Sequence, residues 1–404
     1  MKKLCLAAIT TLLLPNMSYA AACADGANAL GCTISTSDIT YTLTGNITPA
    51  SGGHGIQFTS GADGNDVTQT GDITTAGDDA YGLYFFSSDS NTTSLTGDIT
   101  TTGTFADGLL ILSSNSNTTN LTGNITTTGD SAVGMYIWSS DSNTTNLTGN
   151  ITTTGDNTSG FKLDDGESNT INMTGNINTS GDVGVGIWLN NSSHMNVISM
   201  TGDIVTSGAN AAAILASSSD GNTITMTGDI VTSGTGGWGY AVTSSFTNNT
   251  TINGDITTTG DSAEAIYMSG GWSTTTTITG NISTTGQQSE GIYLLNSDEN
   301  TLVINGNINT SGTDGNSEPI LLSNSDLNTI TLSGAVHSLG GDQAIAVDAT
   351  SQNNTFTFKR GVSFIGGLEN NGGTTNKLIF DMGKASSYNL DFDDTSWTME
   401  DASK

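Results

Sequence analysis

The sequence predicts an all-β chain wound as a right-handed parallel β-helix, a solenoid of about 12–13 coils with a 26-residue period. Three observations predict it. A tetrapeptide Thr-Gly-Asn/Asp-Ile recurs, with its glycine at Gly45, Gly71, Gly97, Gly123, Gly149, Gly175, Gly202, Gly228, Gly254, Gly280, Gly306 and, degenerate, Gly334. Nearly every step is 26 residues. Apolar residues inside each unit alternate with period two, and helical periodicity is absent after residue 20. The composition suits stacked turns: 52 Gly, 3 Pro and only 11% charged residues. A stack repeats each side chain directly above its copy, so columns of like charge would repel themselves.

Residues 1–20 read as a secretory signal peptide. Met1-Lys2-Lys3 is basic, Leu4 to Leu14 is apolar, and Ser18-Tyr19-Ala20 is a small-x-small cleavage site. The apolar run is too short for a spanning helix, which needs roughly 20 residues. Residues 21–43 form an N-terminal cap. Cys23 and Cys32 lie nine apart in an exported chain, where one small disulfide loop is the simplest reading. Cys5 leaves with the signal.

Residues 44–376 carry the repeats. Two residues after each glycine stands an aliphatic (Ile47, Ile73, Ile99, and so on to Val336), and two before it another (Leu43, Leu95, Leu121 and their copies). Twelve and fourteen after it come further apolar pairs such as Leu83/Phe85, Leu109/Ile111 and Met135/Ile137. Strand residues i and i+2 share a face, so these columns point inward. Clusters of Gly, Asn, Asp and Ser between them are turn material. One unit cannot bury its apolar face alone, but stacked units pair each strand in parallel with its copy. The crossover rule makes the winding right-handed. The period slips near Ser192–Asn196 and Thr313–Glu318, which marks small insertions. Residues 377–404 form a closing segment where basic residues return.

An export signal followed by Gly-, Asn- and Thr-rich coils resembles the passenger domain of a bacterial autotransporter (type V secretion). Lys377-Leu378-Ile379-Phe380-Asp381-Met382-Gly383, Tyr388-Asn389-Leu390 and Ser396-Trp397-Thr398 are similar to the segment that closes such passengers. The resemblance implies export through the inner membrane and a surface or extracellular destination, or the periplasm if no translocator exists. It also implies an outer-membrane translocator barrel as partner, which this chain does not contain.

Charge limits the remaining functions. Lys and Arg number 8 against 38 Asp and Glu, a net charge of −30, and Lys162 is the lone basic residue between Cys32 and Asn353. Nucleic-acid binding needs clustered basic residues and is excluded as an expectation. A polysaccharide-degrading β-helix enzyme is the alternative function, with Asp78-Asp79 and Asp164-Asp165 as its carboxylate pairs. Asp78 occupies a repeated turn slot also held by Asp130, Asp156, Asp182 and Asp261, and the structural reading is preferred for both pairs. Gly129-Asp130-Ser131 and Gly260-Asp261-Ser262 sit on the same turn, and His54, His194 and His337 occupy unrelated positions, so no triad assembles. The acidic column Asp72, Asp98, Asp203, Asp229 and Asp255 alternates with Asn in the same slot and reads as solvated rather than as a calcium site. No catalytic residue, metal ligand or cofactor is assigned. Ice binding by the column Thr100/Thr102, Thr126/Thr128, Thr152/Thr154 and Thr257/Thr259 is a minor alternative, since Val and Asn interrupt the array.

Two columns remain. Twenty residues after the glycine stand Asn91, Asn117, Asn143, Asn169, Asn222, Asn248 and Asn300, with Asn196 and Asn328 shifted, which read as a structural ladder of stacked amides. Thirteen after it stand Tyr84, Tyr136, Trp188, Tyr267 and Tyr293, with Phe86 and Trp138 two residues further on. Alternation points this aromatic stripe outward. It suits a cell-surface glycan, a protein or a second rod, and it equally suits cross-strand stacking that stabilises the sheet. The function expected is therefore that of an adhesin-like interaction protein.

Overall fold

The computed structural model describes residues 21–383 and 397–402. The signal segment and, in the closing segment, Lys384, Tyr388, Asn389, Leu390 and Ser396 lie outside the described residues. The chain is an all-β solenoid of about 13 turns, without a helix among the described residues. Three parallel sheets run its length, with 12, 15 and 16 strands. After each repeat glycine comes a three-residue strand of the short sheet, such as Ile99–Thr101. The middle sheet follows, as in Leu109–Leu112, and then the long sheet, as in Thr118–Thr122. Neighbouring strands pair with their copies 26 residues on: Leu109 with Met135, Ile125 with Ile151, Leu121 with Leu147. One residue is inserted between Asn190 and Val197, where Thr170 pairs Val197, and two between Thr310 and Ile320, where Ile308 pairs Val336.

The aliphatic columns of all three sheets close on one continuous core that runs from Cys32 to Trp397. The repeat glycine is required by its backbone. Gly123 has φ +149°, and a Cβ there would strike the carbonyl of Gly97 in the preceding coil. The threonine that follows the buried isoleucine by two is also internal. Thr101 and Thr127 donate their hydroxyls to the carbonyls of Ala106 and Ala132, so the corner before the middle sheet is hydrogen-bonded from within. The threonine array noted in the sequence is the outward one beside them; these inward threonines share the face of the buried isoleucine two residues before.

At the N-terminus, Ala21–Ala22 pairs with Cys32–Ile34, and a Cys23–Cys32 disulfide closes the intervening loop. Closing a loop of this size stabilises by about 2–3 kcal/mol in the chain-entropy model. Cys23→Ser/Cys32→Ser should therefore expose the amides of Cys32–Ile34 to faster hydrogen exchange and leave the coils beyond Ile99 unchanged. Uniform acceleration along the rod would contradict a purely local clamp. At the other end, Lys377–Asp381 pairs with Thr355–Lys359, and Thr398–Asp401 pairs with Lys377–Asp381. Lys359 pairs with Asp381 and Lys377 with Glu400, so the returning basic residues neutralise acids at the end of the stack.

Candidate functional site

Two ladders, one internal and one external, define what the repeat uses for stability. The buried asparagines form the first. The Asn117 backbone N–H and its Nδ2 both donate to Asn143 Oδ1, at 2.9 and 3.2 Å, and Nδ2 also donates to Ser88 O at 3.0 Å. Asn196 and Asn328 stand in the same file despite their shifted numbers, because the insertions lie just before them. Asn65, Asn354 and Asn376 extend it at the ends, and Thr274 interrupts it. The second ladder is external. Asp72 Oδ1 accepts from the Asp98 N–H at 3.0 Å, Asp98 Oδ1 from Asn124 at 2.7 Å, and Asp229 Oδ1 from Asp255 at 2.8 Å. Asp and Asn alternate there because the slot needs only an acceptor. Among the described residues, no group of three or more His, Cys, Asp or Glu side chains converges to hold a metal ion.

The candidate catalytic aspartates on the turns form a further external ladder of the same kind. Asp78 accepts from the Thr104 N–H, and Asp130 from that of Asp156. Ser131 sits on the turn with φ +56°. His54 accepts from the Tyr81 N–H and His194 from that of Asp220, in separate coils, while His337 contacts Ser363.

The aromatic column lies on the outer face of the middle sheet and is less exposed than strict alternation implies. Tyr84, Tyr136, Trp188, Tyr267 and Tyr293 are half-buried, and Leu110 in the same file is buried. Phe86 and Trp138 are 40% and 44% exposed. The cover comes from a second file three positions earlier, which holds His54, Tyr81, Asp107, Val133, Trp238, Glu264 and Glu290. Sequence reasoning missed it, because it has no common residue type. Its side chains reach the aromatic file because the two residues between them are both internal: Ala265 and Ile266 face the core, so Glu264 and Tyr267 are brought to the same outer side.

The two files meet in three clusters. In the first, His54 stacks on Tyr81 at 5.1 Å between ring centroids, Tyr81 meets Tyr84 at 4.8 Å, and Tyr84 meets Phe86 at 6.0 Å. Burial holds His54 below its ordinary range and outweighs the nearby Asp79. In the second, Tyr136 and Trp138 stack at 5.9 Å. Lys162 lies between Tyr136 and Trp188 on consecutive strands, with its Nζ 5.0 and 4.6 Å from the two ring centroids. That ammonium pairs with Asp164 at 2.9 Å, and the Tyr136 hydroxyl donates to the same carboxylate at 3.2 Å. Burial pushes Asp164 upward, but Lys162, Asn191 and Tyr136 outweigh it and hold the carboxyl below its ordinary range. Asp107 is fully buried nearby and pushed well above the carboxylate range by that burial, although the Val133 N–H donates to it at 2.7 Å.

In the third, Trp238 stacks on Tyr267 at 4.7 Å, and Tyr267 meets Tyr293 at 5.7 Å. Glu264 and Glu290 lie beside these rings in consecutive coils, 9% and 6% exposed. Glu264 lies against both Trp238 and Glu290. Burial pushes Glu290 up to about 8, and the adjacent Glu264 charge adds to the effect. Phe246 and Trp272 form a separate exposed edge-to-face pair at 6.0 Å on a turn.

No protein-family model, curated protein or solved structure matches the chain.

Proposed function

We propose that the chain is an exported interaction protein of the autotransporter-passenger kind, which holds a rigid rod outside the inner membrane and binds through the outer face of its middle sheet. The partner is a cell-surface glycan or protein, and lateral association with a second rod uses the same face. The observation that carries this reading is the gathering of rings into three clusters on one face of an otherwise polar, acidic solenoid. Phe86 and Trp138 leave a large part of their surface in water, which a stack serving only the sheet does not require. An enzyme would break the repeat to build a cleft. Here the two insertions are one and two residues long, and the paired aspartates are engaged in turns and in the Lys162 cluster.

The test is the triple substitution Tyr136→Ser, Trp138→Ser and Trp188→Ser, scored for binding of the purified chain to cells and to a glycan array. Binding should fall at least tenfold while the circular dichroism spectrum stays that of the wild type. Retained binding by the folded triple variant would remove the aromatic face from the account.

A further inference from the structure

We propose that Trp238, Tyr267, Tyr293, Glu264 and Glu290 form a binding site for an alkylammonium group, either a lysine side chain of a partner or a free aliphatic amine. This site depends on one cluster and its chemistry. It stands whether or not the rod is displayed at a cell surface.

The second cluster already contains its cation. Tyr136, Lys162 and Trp188 occupy one file on three consecutive strands. The Lys162 ammonium lies over both neighbouring rings and against the Asp164 carboxylate. Ring faces are negative and a carboxylate is negative, so the three groups together solvate an ammonium. The chain has one basic side chain between Cys32 and Asn353, and it stands here.

The third cluster has the same kinds of groups without the cation. Trp238 and Tyr267 are stacked, and Tyr293 continues the aromatic surface in the next coil. Two carboxyls replace the one. They are nearly buried, and no salt bridge reaches either among the described residues. One Glu264 oxygen, Oε2, is buried with no hydrogen-bond partner. Buried carboxyls are normally paired or hydrogen-bonded, because the unpaired charge is costly. An external ammonium would complete this cluster as Lys162 completes the other. A neutral sugar would stack on the rings and still leave the second carboxyl without a counter-charge.

Proton linkage separates this site from general attraction to an acidic rod. Glu318 acts on Glu290, and Tyr293 lies among Glu264, Glu290, Tyr267 and Asp348. Tyr293 is held neutral by burial and by the acids around it, and Glu318 is raised by burial. Asp348 is the ionised member. Burial pushes it upward, but hydrogen bonds from Ser351, Ser323 and Thr350 outweigh it. At neutral pH the Glu264–Glu290 pair retains a proton, and a bound ammonium favours its loss. Affinity should therefore rise from about pH 6 to about pH 9. Exposed carboxylates are already ionised over this range, so attraction to the rod surface would not change.

The experiment titrates n-butylammonium and a Gly-Gly-Lys-Gly-Gly peptide into the full chain at near-physiological salt, read by tryptophan fluorescence and calorimetry. Butanol and the acetyl-lysine peptide are the neutral controls. One saturable site is expected for the ammonium forms, strengthening with pH. Binding of both forms points to a partner lysine, and binding of butylammonium alone to a free amine. The double variant Glu264→Gln/Glu290→Gln keeps the shape of the site and should lose at least tenfold in affinity. Asp229→Asn, on the external ladder, should change nothing. Lys162→Ala should open a second, equivalent site over Tyr136 and Trp188, whereas Lys162→Met refills that space and should not. Absence of saturable ammonium binding by the folded wild type, affinity independent of pH, or equal losses in Asp229→Asn and the glutamine variant would each overturn the proposal.

Discussion

Asn143→Ala should lower the stability of the central coils by about 3–5 kcal/mol. The side chain is fully buried, and four hydrogen bonds meet on it. Its Oδ1 accepts the Asn117 backbone N–H at 2.9 Å and the Asn117 Nδ2 at 3.2 Å. Its Nδ2 donates to Ser114 O at 2.9 Å and to Asn169 Oδ1 at 3.1 Å. Truncation leaves the Asn117 N–H and the Ser114 carbonyl without these partners in a space that alanine does not fill. Each buried orphan costs about 1–3 kcal/mol, and the void adds to that. Asn146, three residues later on the outer face of the long sheet, is the control. Its Nδ2 donates to Asn120 Oδ1 at 2.8 Å but is only part-buried, so Asn146→Ala should cost under about 1 kcal/mol. Stability in a solenoid is close to a sum over repeats and their interfaces, so denaturant midpoints should be read together with hydrogen exchange at the Asn117 amide. If Asn143→Ala and Asn146→Ala prove equal, the internal file is filling space rather than holding coils together.

These two asparagines also show where the sequence is legible and where it stops. Spacing placed Asn143 in a column, since every coil solves the same packing problem and repeats the same answer. It did not separate the inward Asn143 from the outward Asn146 by energy, because that requires knowing that the Asn117 N–H points at the next coil. The middle sheet shows the same limit. Alternation placed Tyr267 and Tyr293 on the outer face, correctly as to side. It failed three residues earlier, where Ala265 and Ile266 are both internal and the period-two rule loses its phase. Trp238, Glu264 and Glu290 therefore entered no column, although they lie against the rings. Repeat arithmetic finds columns of one residue type; Tyr267 and Tyr293 belong to such a column, whereas the file that holds Trp238, Glu264 and Glu290 mixes types, so spacing alone does not show that it covers the rings. Charge shows the reverse case. The acidic column at Asp72, Asp98 and Asp229 was visible as a column, but its use as a backbone acceptor was not.

Glu290→Gln should stabilise the C-terminal half of the rod at alkaline pH and leave it nearly unchanged in acid. Burial and the neighbouring Glu264 charge push Glu290 from its ordinary 4.5 to about 8. The folded state thus holds a proton that the unfolded chain releases across the interval between those values. Stability rises with pH only where the unfolded chain binds more protons, and here the folded chain binds more, so stability falls instead. The favourable contribution is complete below about pH 4.5 and lost once pH passes about 8. At about 1.4 kcal/mol per unit of pKa, the full excursion is on the order of 4–5 kcal/mol, shared with Glu264 because the two titrate as a pair. Glutamine keeps the shape and removes the titration. The melting midpoints of wild type and variant should coincide near pH 4 and separate progressively towards about pH 9, with the variant higher. The variant will still lose some stability as pH rises, since Asp107 and Glu318 are also raised by burial. A pH-independent gap would mean that the substitution acts through packing alone. A variant less stable than the wild type at pH 9 would mean that the Glu290 carboxylate has a counter-charge in the folded protein, contrary to the unpaired state on which the ammonium site depends.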